Sequence, residues 1–427
     1  MARLQAPRGT EDLLPERIPA LDFVFETCRE VFGRYGYREI RTPLFEETSL
    51  FVRSLGEVTD VVEKEMFTVA RGETNVTFRP EGTAPVVRAY LEHNLDKVRA
   101  FQKFFYMGPM FRFERPQAGR SRQFHQVGVE ALGSASPLLD AEVILLAHRC
   151  FQALGLANYR VHLNTIGDAA DRERFRAVLK AYFTPLMAQR CADCQQRLQR
   201  NVFRMLDCKV AGCQPSNRAA PHFLDHVSAA TRARFDQSVA ILAGLDVPHA
   251  VDPAIVRGFD YYTHTVFEVR CHDLGARDTV CGGGRYDGLI EDLGGPALGA
   301  VGFAIGVTPT LLALEKQGHP AMRPAERGVP ILVAPVGAAD REAAFLLTER
   351  LRAAGLAADT DYEDKSLKAI FKAADKRGVR LVVMLGGDER ARGAVKVKDL
   401  QSGAEVELPD DAALAAGLRS RLAPAAP

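Results

Sequence analysis

FQKFFYMGPMFRFERPQAGRSRQFHQVGVEALG, residues 101 to 133, is the stretch that decides the fold predicted for this chain. Apolar and polar side chains alternate in two arms, near residues 104 to 114 and 122 to 132, on either side of a loop with proline and glycine. A period of two residues indicates β-strands. The stretch therefore predicts a hairpin.

The two faces of the second arm differ in chemistry. One face carries Val127, Val129 and Ala131, and the other carries Gln126 and Glu130. A parallel strand buried between helices is apolar on both faces. The alternation therefore predicts an antiparallel sheet with one packed face and one open face.

The polar face of the hairpin admits two interpretations. Charged side chains are rarely buried unless they are paired, so the face can be an ordinary solvated sheet edge. Alternatively, arginine forks can hold a polyanion while an aromatic ring stacks on an adenine. The side chains suited to that second role are Arg112, Glu114, Arg120 and Phe124.

The composition is that of a globular protein, with 427 residues and a net charge of +1. This length predicts two or three domains. A near-neutral total gives no overall attraction to nucleic acid, so RNA contacts would depend on local basic patches. No apolar run approaches the roughly 20 residues of a membrane span, and residues 1 to 15 lack the apolar core of a secretory signal. We therefore expect a cytoplasmic protein without a membrane segment.

The order of helical and strand patterns predicts an α+β organisation. Residues 1 to 320 form a first domain, which a mostly helical, arginine-rich insertion at 168 to 250 interrupts. Residues 315 to 328 are rich in proline, glycine and charge and are predicted to be a linker. Strand and helix then alternate from 329 to 427, which predicts a three-layer α/β domain with largely parallel strands.

Elements predicted within the first domain are a helix at 17 to 35, a strand at 37 to 43, a strand at 67 to 79, a helix after residue 80 and a helix at 140 to 154.

Several motifs resemble those of a known family. FRFE at 111 to 114, with the loop and arm that follow, resembles motif 2 of the class II aminoacyl-tRNA synthetases, and the helix, strand and proline at 17 to 43 resemble motif 1, their dimer element. RPEGT at 79 to 83, VRGFDYYTHTVFEV at 256 to 269 and GGGRYDGL at 282 to 289 are similar to signatures of the histidyl-tRNA synthetases. This resemblance covers essentially the whole chain.

The resemblance implies a fold and an activity. The fold would be a class II catalytic core, an antiparallel sheet flanked by helices, with a helical insertion and an α/β anticodon-binding domain, assembled as a homodimer. The activity would be that of an ATP-dependent ligase with Mg²⁺, which converts histidine to histidyl-adenylate and pyrophosphate and then transfers histidine to the 3′-terminal ribose of tRNA(His). Such chemistry depends mainly on positioning and charge neutralisation.

The resemblance also implies catalytic and nucleotide-binding roles. Arg112 and Arg257 would approach the α-phosphate from two sides, which suits a side chain with a fixed charge and a planar fork. Glu114, Arg120 and Phe124 would hold the rest of the ATP.

A histidine-binding pocket follows from the same resemblance. Neutral imidazole offers one donor and one acceptor, so the pocket must supply a partner for each. The candidates are Glu81, Thr83, Gln126, Glu130, Tyr261 and Tyr262. From the residues alone, Glu81 and Thr83 can equally cap the helix that follows them, and GGGRYDGL can be a tight hairpin turn.

Motif 3 departs from the family pattern. Class II synthetases usually follow a glycine-rich strand with Glu-Arg, whereas GFAIG precedes Val307, Thr308 and Pro309 here. The usual arginine clamp on ATP is therefore missing. This leaves a second interpretation, a catalytically silent paralogue resembling the regulatory subunit of ATP phosphoribosyltransferase in histidine biosynthesis, although the intact motif at 257 to 262 and the C-terminal domain oppose it.

Four of the eight cysteines cluster at Cys191, Cys194, Cys208 and Cys213. Their spacing fits a structural tetrahedral zinc site, and packed free thiols are the alternative.

Two groups of basic residues could meet tRNA phosphates, although solvated faces are the commoner explanation. One is the helix face with Lys365, Lys368, Lys372 and Lys376. The other, in the insertion, comprises Arg190, Arg197, Arg200, Arg204 and Lys209.

Overall fold

A computed structural model describes residues 3–56, 59, 61–72, 74–114, 120–206, 208–255, 261–275, 278–323, 329–363 and 365–423. The chain divides into two compact units, 1–323 and 324–427. Among the described residues, no helix is both long enough and apolar enough to cross a membrane.

The strands of the first unit are β1 (Arg38–Glu39), β2 (Phe45–Glu47), β3 (Phe67–Arg71), β4 (Thr74–Phe78), β5 (Gln102–Phe111), β6 (Gln123–Leu132), β7 (Tyr159–Thr165), β8 (His249–Val251), β9 (Thr263–Cys271), β10 (Thr279–Arg285) and β11 (Ala300–Gly306). Its α-helices are α1 (Ile18–Arg34), α2 (Thr48–Leu55), α3 (Thr83–Glu92), α4 (Leu95–Val98), α5 (Pro137–Ala153), α6 (Ala169–Phe183), α7 (Ala192–Arg200), α8 (Gln214–Arg218), α9 (Ala229–Gly244), α10 (Leu289–Asp292) and α11 (Val307–Lys316).

The hairpin at residues 101 to 133 is the pair β5 and β6. These strands run antiparallel from Gln102 opposite Leu132 to Phe111 opposite Gln123. They lie in a sheet whose described strands follow the order β1-β5-β6-β11-β10-β9-β7-β8. The predicted antiparallel core is confirmed, although β1 joins β5 and β8 joins β7 in parallel.

The two faces of β6 follow the predicted alternation. Val127, Val129 and Ala131 are fully buried in a core that also contains apolar side chains of α1, α5 and α11. Phe124, on the other face, packs against a second cluster that includes side chains of α2 and α3. Both faces of β6 are therefore covered from residue 127 onward, so the predicted open face was wrong for this part of the strand. The second face still carries the polar groups that can build a site.

Three local predictions were wrong. The strand predicted at 37 to 43 is reduced to β1, Arg38–Glu39. Residues 67 to 79 form two strands, β3 and β4, which pair with each other. The first arm of the hairpin ends at Phe111, so Arg112 and Glu114 lie beyond the strand. Side chains point to alternate faces of a sheet only within a strand. The prediction that Arg112 and Glu114 share one face of the sheet therefore does not apply.

The second unit, 324–427, contains strands β12 (Ile331–Pro335), β13 (Ala358–Thr360), β14 (Leu381–Leu385), β15 (Ala394–Asp399) and β16 (Glu405–Pro409). Its α-helices are α12 (Arg341–Ala353), α13 (Leu367–Lys376), α14 (Gly387–Ala391) and α15 (Leu414–Leu422). The sheet order is β13-β12-β14-β15-β16. The first three strands are parallel, as predicted, whereas β15 and β16 add an antiparallel edge.

A buried ion pair connects α5 with the end of β10. Nε of Arg285 donates to Oδ1 of Asp140 at 2.7 Å, and both side chains are fully buried. Oδ2 of Asp140 accepts from Arg234 of α9 at 3.2 Å and from Thr265 of β9 at 3.0 Å. Strands and helices that are distant in sequence therefore meet at one carboxylate.

Nη1 of Arg285 also donates to Asp287 at 2.7 Å and to the carbonyl of Ser134 at 2.9 Å, and Nη2 donates to the carbonyl of Ser136 at 3.0 Å. Each side of the guanidinium is therefore satisfied, which a buried charge requires.

Asp140→Ala should destabilise the first unit, because it leaves the buried guanidinium of Arg285 without its main counter-charge. The expected loss is about 3 to 5 kcal/mol in the free energy of unfolding, measured by urea denaturation. Arg176→Ala, which breaks an exposed pair with Glu173 at 2.7 Å, should cost less than about 1 kcal/mol. Equal losses in the two variants would contradict the role given to Asp140.

Candidate active site

Glu130 lies on the polar face of β6, near the C-terminal end of the strand. Its side chain is only 1 % exposed. Thr83 of α3 donates its hydroxyl to Oε1 at 2.7 Å, and the Tyr286 hydroxyl donates to Oε2. The carboxyl group is thus buried but hydrogen-bonded on both oxygens.

Burial raises the pKa of Glu130 to about 8, because a buried carboxylate loses its hydration. The hydrogen bonds from Tyr286 and Thr83 oppose this shift, and the nearby carboxyl of Glu81 adds to it. A carboxyl group that titrates near neutral pH can either donate or accept a hydrogen bond to a ligand.

Gly302 of β11 makes room for this carboxyl group. It is the residue opposite Glu130 in the sheet. A Cβ at this position would lie 2.0 Å from Oε2 of Glu130 and 2.3 Å from the carbonyl oxygen of Val129. Any side chain here would therefore displace the carboxylate or the strand.

Tyr286 was not among the predicted site residues. It follows β10 within GGGRYDGL, a motif that drew attention for its glycines, and the first half of that motif, 282–285, is strand rather than loop. Its ring is fully buried, and burial raises its pKa well above the usual value. The signal that could have identified it was an aromatic hydroxyl directly after a glycine-rich strand.

Glu81 caps the first turn of α3. Oε2 accepts from the backbone N–H of Thr83 at 2.6 Å and Oε1 from that of Ala84 at 2.9 Å. Burial raises the pKa of Glu81, while these two hydrogen bonds oppose the rise. The capping interpretation therefore holds, and Glu81 is also brought beside Thr83 and Glu130.

Tyr106 of β5 fills the space between α3 and β6. A Cβ at Gly82 would lie 2.3 Å from its ring, and so would a Cβ at Gly128. The glycine of RPEGT is thereby explained by packing against an aromatic ring.

Tyr261 and Tyr262 enter the same region from the turn before β9. Both are buried, with ring centroids 4.7 Å apart, and Tyr261 lies 5.5 Å from the Tyr286 ring. Burial raises the pKa of Tyr261 well above its usual value. Nη1 of Arg172, on α6 of the insertion, donates to the carbonyl of Tyr262 at 3.2 Å.

Gln126 offers an unused acceptor. Its Oε1 is buried and, among the described residues, has no hydrogen-bond partner. A buried polar atom without a partner is costly, so this atom points to a ligand or water that completes it.

The nucleotide candidates gather where the hairpin arms open. Nε of Arg112 donates to the carbonyl of Pro80 at 2.8 Å, and its guanidinium lies 5.3 Å from the Phe124 ring centroid. Oε2 of Glu114 accepts from Arg120 at 2.5 Å. These four predicted side chains are therefore close to one another, whereas Arg257 lies outside the described residues.

The missing motif 3 arginine has no substitute on the following helix, all of which the structure describes. α11 begins directly after β11 with Val307, Thr308 and Pro309, and Thr310 donates its hydroxyl to the carbonyl of Gly306 at 2.8 Å. The next basic residue, Lys316, donates to the carbonyl of Asp273 at the far end of the helix.

The polar face of the hairpin thus has a buried polar pocket at one end and an arginine cluster beside an aromatic ring at the other. The fold and this site define a class II aminoacyl-tRNA synthetase. A family model described as histidyl-tRNA synthetase matches residues 9–309, and a model of an anticodon-binding domain matches 331–419. The chain belongs to the histidyl-tRNA synthetase family.

Individual relatives agree with the family models. The chain is 48 % identical over 404 residues to histidine–tRNA ligase of Moorella thermoacetica, covering 94 % of this chain and 95 % of that protein. It is 45 % identical over 403 residues to the ligase of Desulforamulus reducens, covering 94 % and 96 %. The crystal structure of apo histidyl-tRNA synthetase from S. aureus, 35 % identical, matches with a TM-score of 0.80 over 97 % of this chain and 99 % of that one.

Glu130 makes the stability of the first unit depend on pH. Because its pKa is about 8 in the folded state and about 4.3 in an unfolded chain, the folded state keeps a proton that the unfolded state releases between these values. Its contribution is therefore fully present below about pH 4 and is lost as the pH rises through 8. Glu130→Gln removes this titration. Between pH 5 and pH 8 the wild type should therefore lose about 3 kcal/mol of unfolding free energy relative to the variant.

Urea denaturation at both pH values measures this change, and Glu173→Gln on the exposed face of α6 is the matched control. A stability difference between Glu130→Gln and wild type that stays constant with pH would show that Glu130 does not titrate in this range.

Proposed function

We propose that this chain is a histidine–tRNA ligase, which activates histidine with ATP and transfers it to the 3′-terminal ribose of tRNA(His). The observation that supports this best is the buried Glu130, hydrogen-bonded by Thr83 and Tyr286, on the same face of β6 as the buried Oε1 of Gln126. A pocket of buried polar groups favours a small ligand with matching donors and acceptors. Ligands that lack those atoms leave the groups unpaired and are rejected by a factor of about 10⁴ or more.

In this proposal Glu130 and Tyr262 meet the two imidazole nitrogens, with Tyr261 alongside. Glu81, Thr83 and Gln126 hold the amino and carboxylate ends of histidine. Tyr286 keeps the Glu130 carboxyl in position through its hydroxyl, and it is a positioning residue rather than a catalytic one.

The opened hairpin binds the nucleotide. Phe124 lies under the adenine, Glu114 and Arg120 hold the nucleotide, and Arg112 and Arg257 neutralise the α-phosphate from two sides. Mg²⁺ prefers oxygen ligands and is held largely by phosphates. Glu114, whose side chain is 13 % exposed, is a carboxylate suited to contribute, and the ion would neutralise phosphate charge.

A histidine carboxylate oxygen then attacks the α-phosphorus, and pyrophosphate leaves from the opposite side. In the second step the terminal ribose hydroxyl of tRNA attacks the carbonyl carbon of the adenylate, and AMP leaves. The protein places two anions together, so its contribution is positioning and charge neutralisation. With Pro309 near the usual place of the motif 3 arginine, Arg112, Arg120 and Arg257 take the larger share of the triphosphate charge.

The regulatory paralogue is the alternative that the motif 3 departure suggests. The Moorella and Desulforamulus relatives, each matching 94 % of the chain, are named histidine–tRNA ligases, and the chain matches an anticodon-binding domain. Both findings support the ligase. Homodimer formation and cytoplasmic residence stay predictions.

Purified protein should exchange labelled pyrophosphate into ATP only when histidine is present. Tyr286→Phe removes the hydroxyl that donates to Glu130, so the KM for histidine should rise about 10- to 100-fold while the KM for ATP stays unchanged. Steady-state exchange rates at varied histidine and ATP measure both constants.

Tyr159→Phe is the matched control, because its hydroxyl bonds to His148 at 2.9 Å and lies outside the site. No exchange by folded wild-type protein would refute the ligase and favour the regulatory paralogue. An equal rise of both KM values in Tyr286→Phe would refute the positioning role of Tyr286.

The lysine row on α13 is proposed to contact tRNA phosphates. Lys368, Lys372 and Lys376 of α13 are exposed, while Ile370 and Ala374 on the same helix are buried. Lys365 is also exposed, but it precedes the helix, so the prediction that it shares a helical face with the other three was wrong. In the insertion, by contrast, Arg190 is buried and cannot reach the acceptor stem.

Lys368→Gln with Lys372→Gln should weaken tRNA binding and reduce the dependence of log K on log salt by about 0.7 to 0.9 for each phosphate that is no longer neutralised. Filter binding at several salt concentrations measures the slope. Lys396→Gln with Lys398→Gln on β15 is the control, because these lysines pair with Glu389 and Glu405. Identical slopes for all three proteins would exclude the α13 row from the interface.

A further inference from the structure

Four cysteine thiols converge in the insertion. The Sγ atoms of Cys191, Cys194, Cys208 and Cys213 all lie within 4.8 Å of one another, and those of Cys191 and Cys208 are 3.7 Å apart. Tetrahedral zinc with Zn–S bonds of about 2.3 Å places its sulfur ligands about 3.8 Å apart. A disulfide needs an S–S distance of about 2.05 Å. The cluster therefore has the dimensions of a metal site rather than of a disulfide.

Backbone amides are directed at these sulfur atoms. The N–H of Cys194 donates to Sγ of Cys191, and the N–H of Val210 donates to Sγ of Cys208. The N–H of Cys191 donates to Sγ of Cys213 at 3.4 Å. Backbone groups that donate to ligand sulfur atoms hold these side chains in position around a metal ion.

Arg190 provides independent support. Its guanidinium is buried, and it donates to the carbonyls of Cys213 at 2.9 Å and Met205 at 3.2 Å, to Oδ1 of Asn217 at 2.7 Å and to Sγ of Cys194 at 3.5 Å. Within the part of the chain that the structure describes, no carboxylate pairs with it. A buried cation needs a counter-charge. Four thiolates around a divalent ion carry two negative charges at the required place.

The surrounding fold is small and irregular. Between residues 184 and 226 the described helices are α7, with nine residues, α8, with five, and four short 3₁₀ turns. Cys194, Cys208 and Cys213 are buried in its apolar cluster with Leu198 and Met205. A segment of about 40 residues rarely holds such turns by apolar burial alone and usually needs a staple.

We propose that Cys191, Cys194, Cys208 and Cys213 bind a structural zinc ion that holds the insertion together, with Arg190 balancing part of the charge of the tetrathiolate. All four positions are taken by protein ligands, so the ion has no open site for substrate and is not part of the ligase chemistry. The proposal does not depend on the ligase function. Metal analysis can fail or succeed whatever the exchange assay shows.

Full-length protein purified without chelator or affinity metal should contain about one zinc per chain by elemental analysis. After replacement with cobalt(II), it should show the intense absorption of tetrahedral thiolate coordination. Cys194→Ser and Cys208→Ser should each hold less than about a tenth of the zinc. Cys150→Ser, at another buried cysteine outside the cluster, should keep all of it.

Arg190→Gln removes the counter-charge and leaves all four cysteine ligands in place, so it tests the role of Arg190 by itself. It should retain the cobalt spectrum but lose zinc to a competing chelator about 10- to 100-fold more readily than the wild type. Folded wild-type protein that takes up no zinc even when zinc is supplied would overturn the proposal. So would iron in its place, or a disulfide among the four cysteines by mass spectrometry. The cobalt spectrum of the wild type decides the matter if the cysteine variants do not fold.

Discussion

The buried pair between Arg285 and Asp140 is the contact on which the geometry of the first unit depends. The Asp140 carboxylate joins α5 to β9, β10 and α9 through Arg285, Thr265 and Arg234. Such a pair adds little net stability over apolar packing, but leaving one partner alone in the interior is costly. Its consequence is positional, because the residue after Arg285 is Tyr286. Fixing the end of β10 therefore fixes the hydroxyl that meets Glu130.

Burying the Glu130 carboxyl group costs free energy, and directed hydrogen bonds to both of its oxygens offset that cost. Thr83 reaches the carboxyl group from the start of α3, Tyr286 from the end of β10, and Gly302 leaves the necessary space. The result is a polar group held in position inside a buried site, which is the condition for discriminating one small ligand from another. A looser carboxylate would hydrate and lose that discrimination.

The insertion is connected to this pocket by a short series of contacts. The ring of Phe203, in the 3₁₀ turn Val202–Met205 beside the cysteine cluster, lies 6.0 Å from the guanidinium of Arg172, and Arg172 donates to the carbonyl of Tyr262. A second contact joins Arg200 to Glu63 at 3.8 Å. A segment with little regular structure of its own is thus placed beside Tyr262, next to the pocket around Glu130. Its order depends on the groups that hold its turns together.

The sequence by itself determined the features that repeat locally. The alternation in β6 assigned Val127 and Glu130 to opposite faces, and the periodicity at 17 to 35 and 140 to 154 located α1 and α5 to within three residues. Motif resemblance supplied the family. The predictions of strand faces and helix positions succeed because a strand or helix period is a property of neighbouring residues.

Only the tertiary structure decided which distant residues meet. Arg285 and Asp140 are 145 positions apart, and Tyr286 and Glu130 are 156 apart. No local period encodes such pairs, so Tyr286 was missed as a site residue. Likewise, Arg190 counted as one more surface charge until the fold buried it among the cysteines. The physical reason is the same in each case: the cost of burying a polar group is set by partners that only the folded chain brings together.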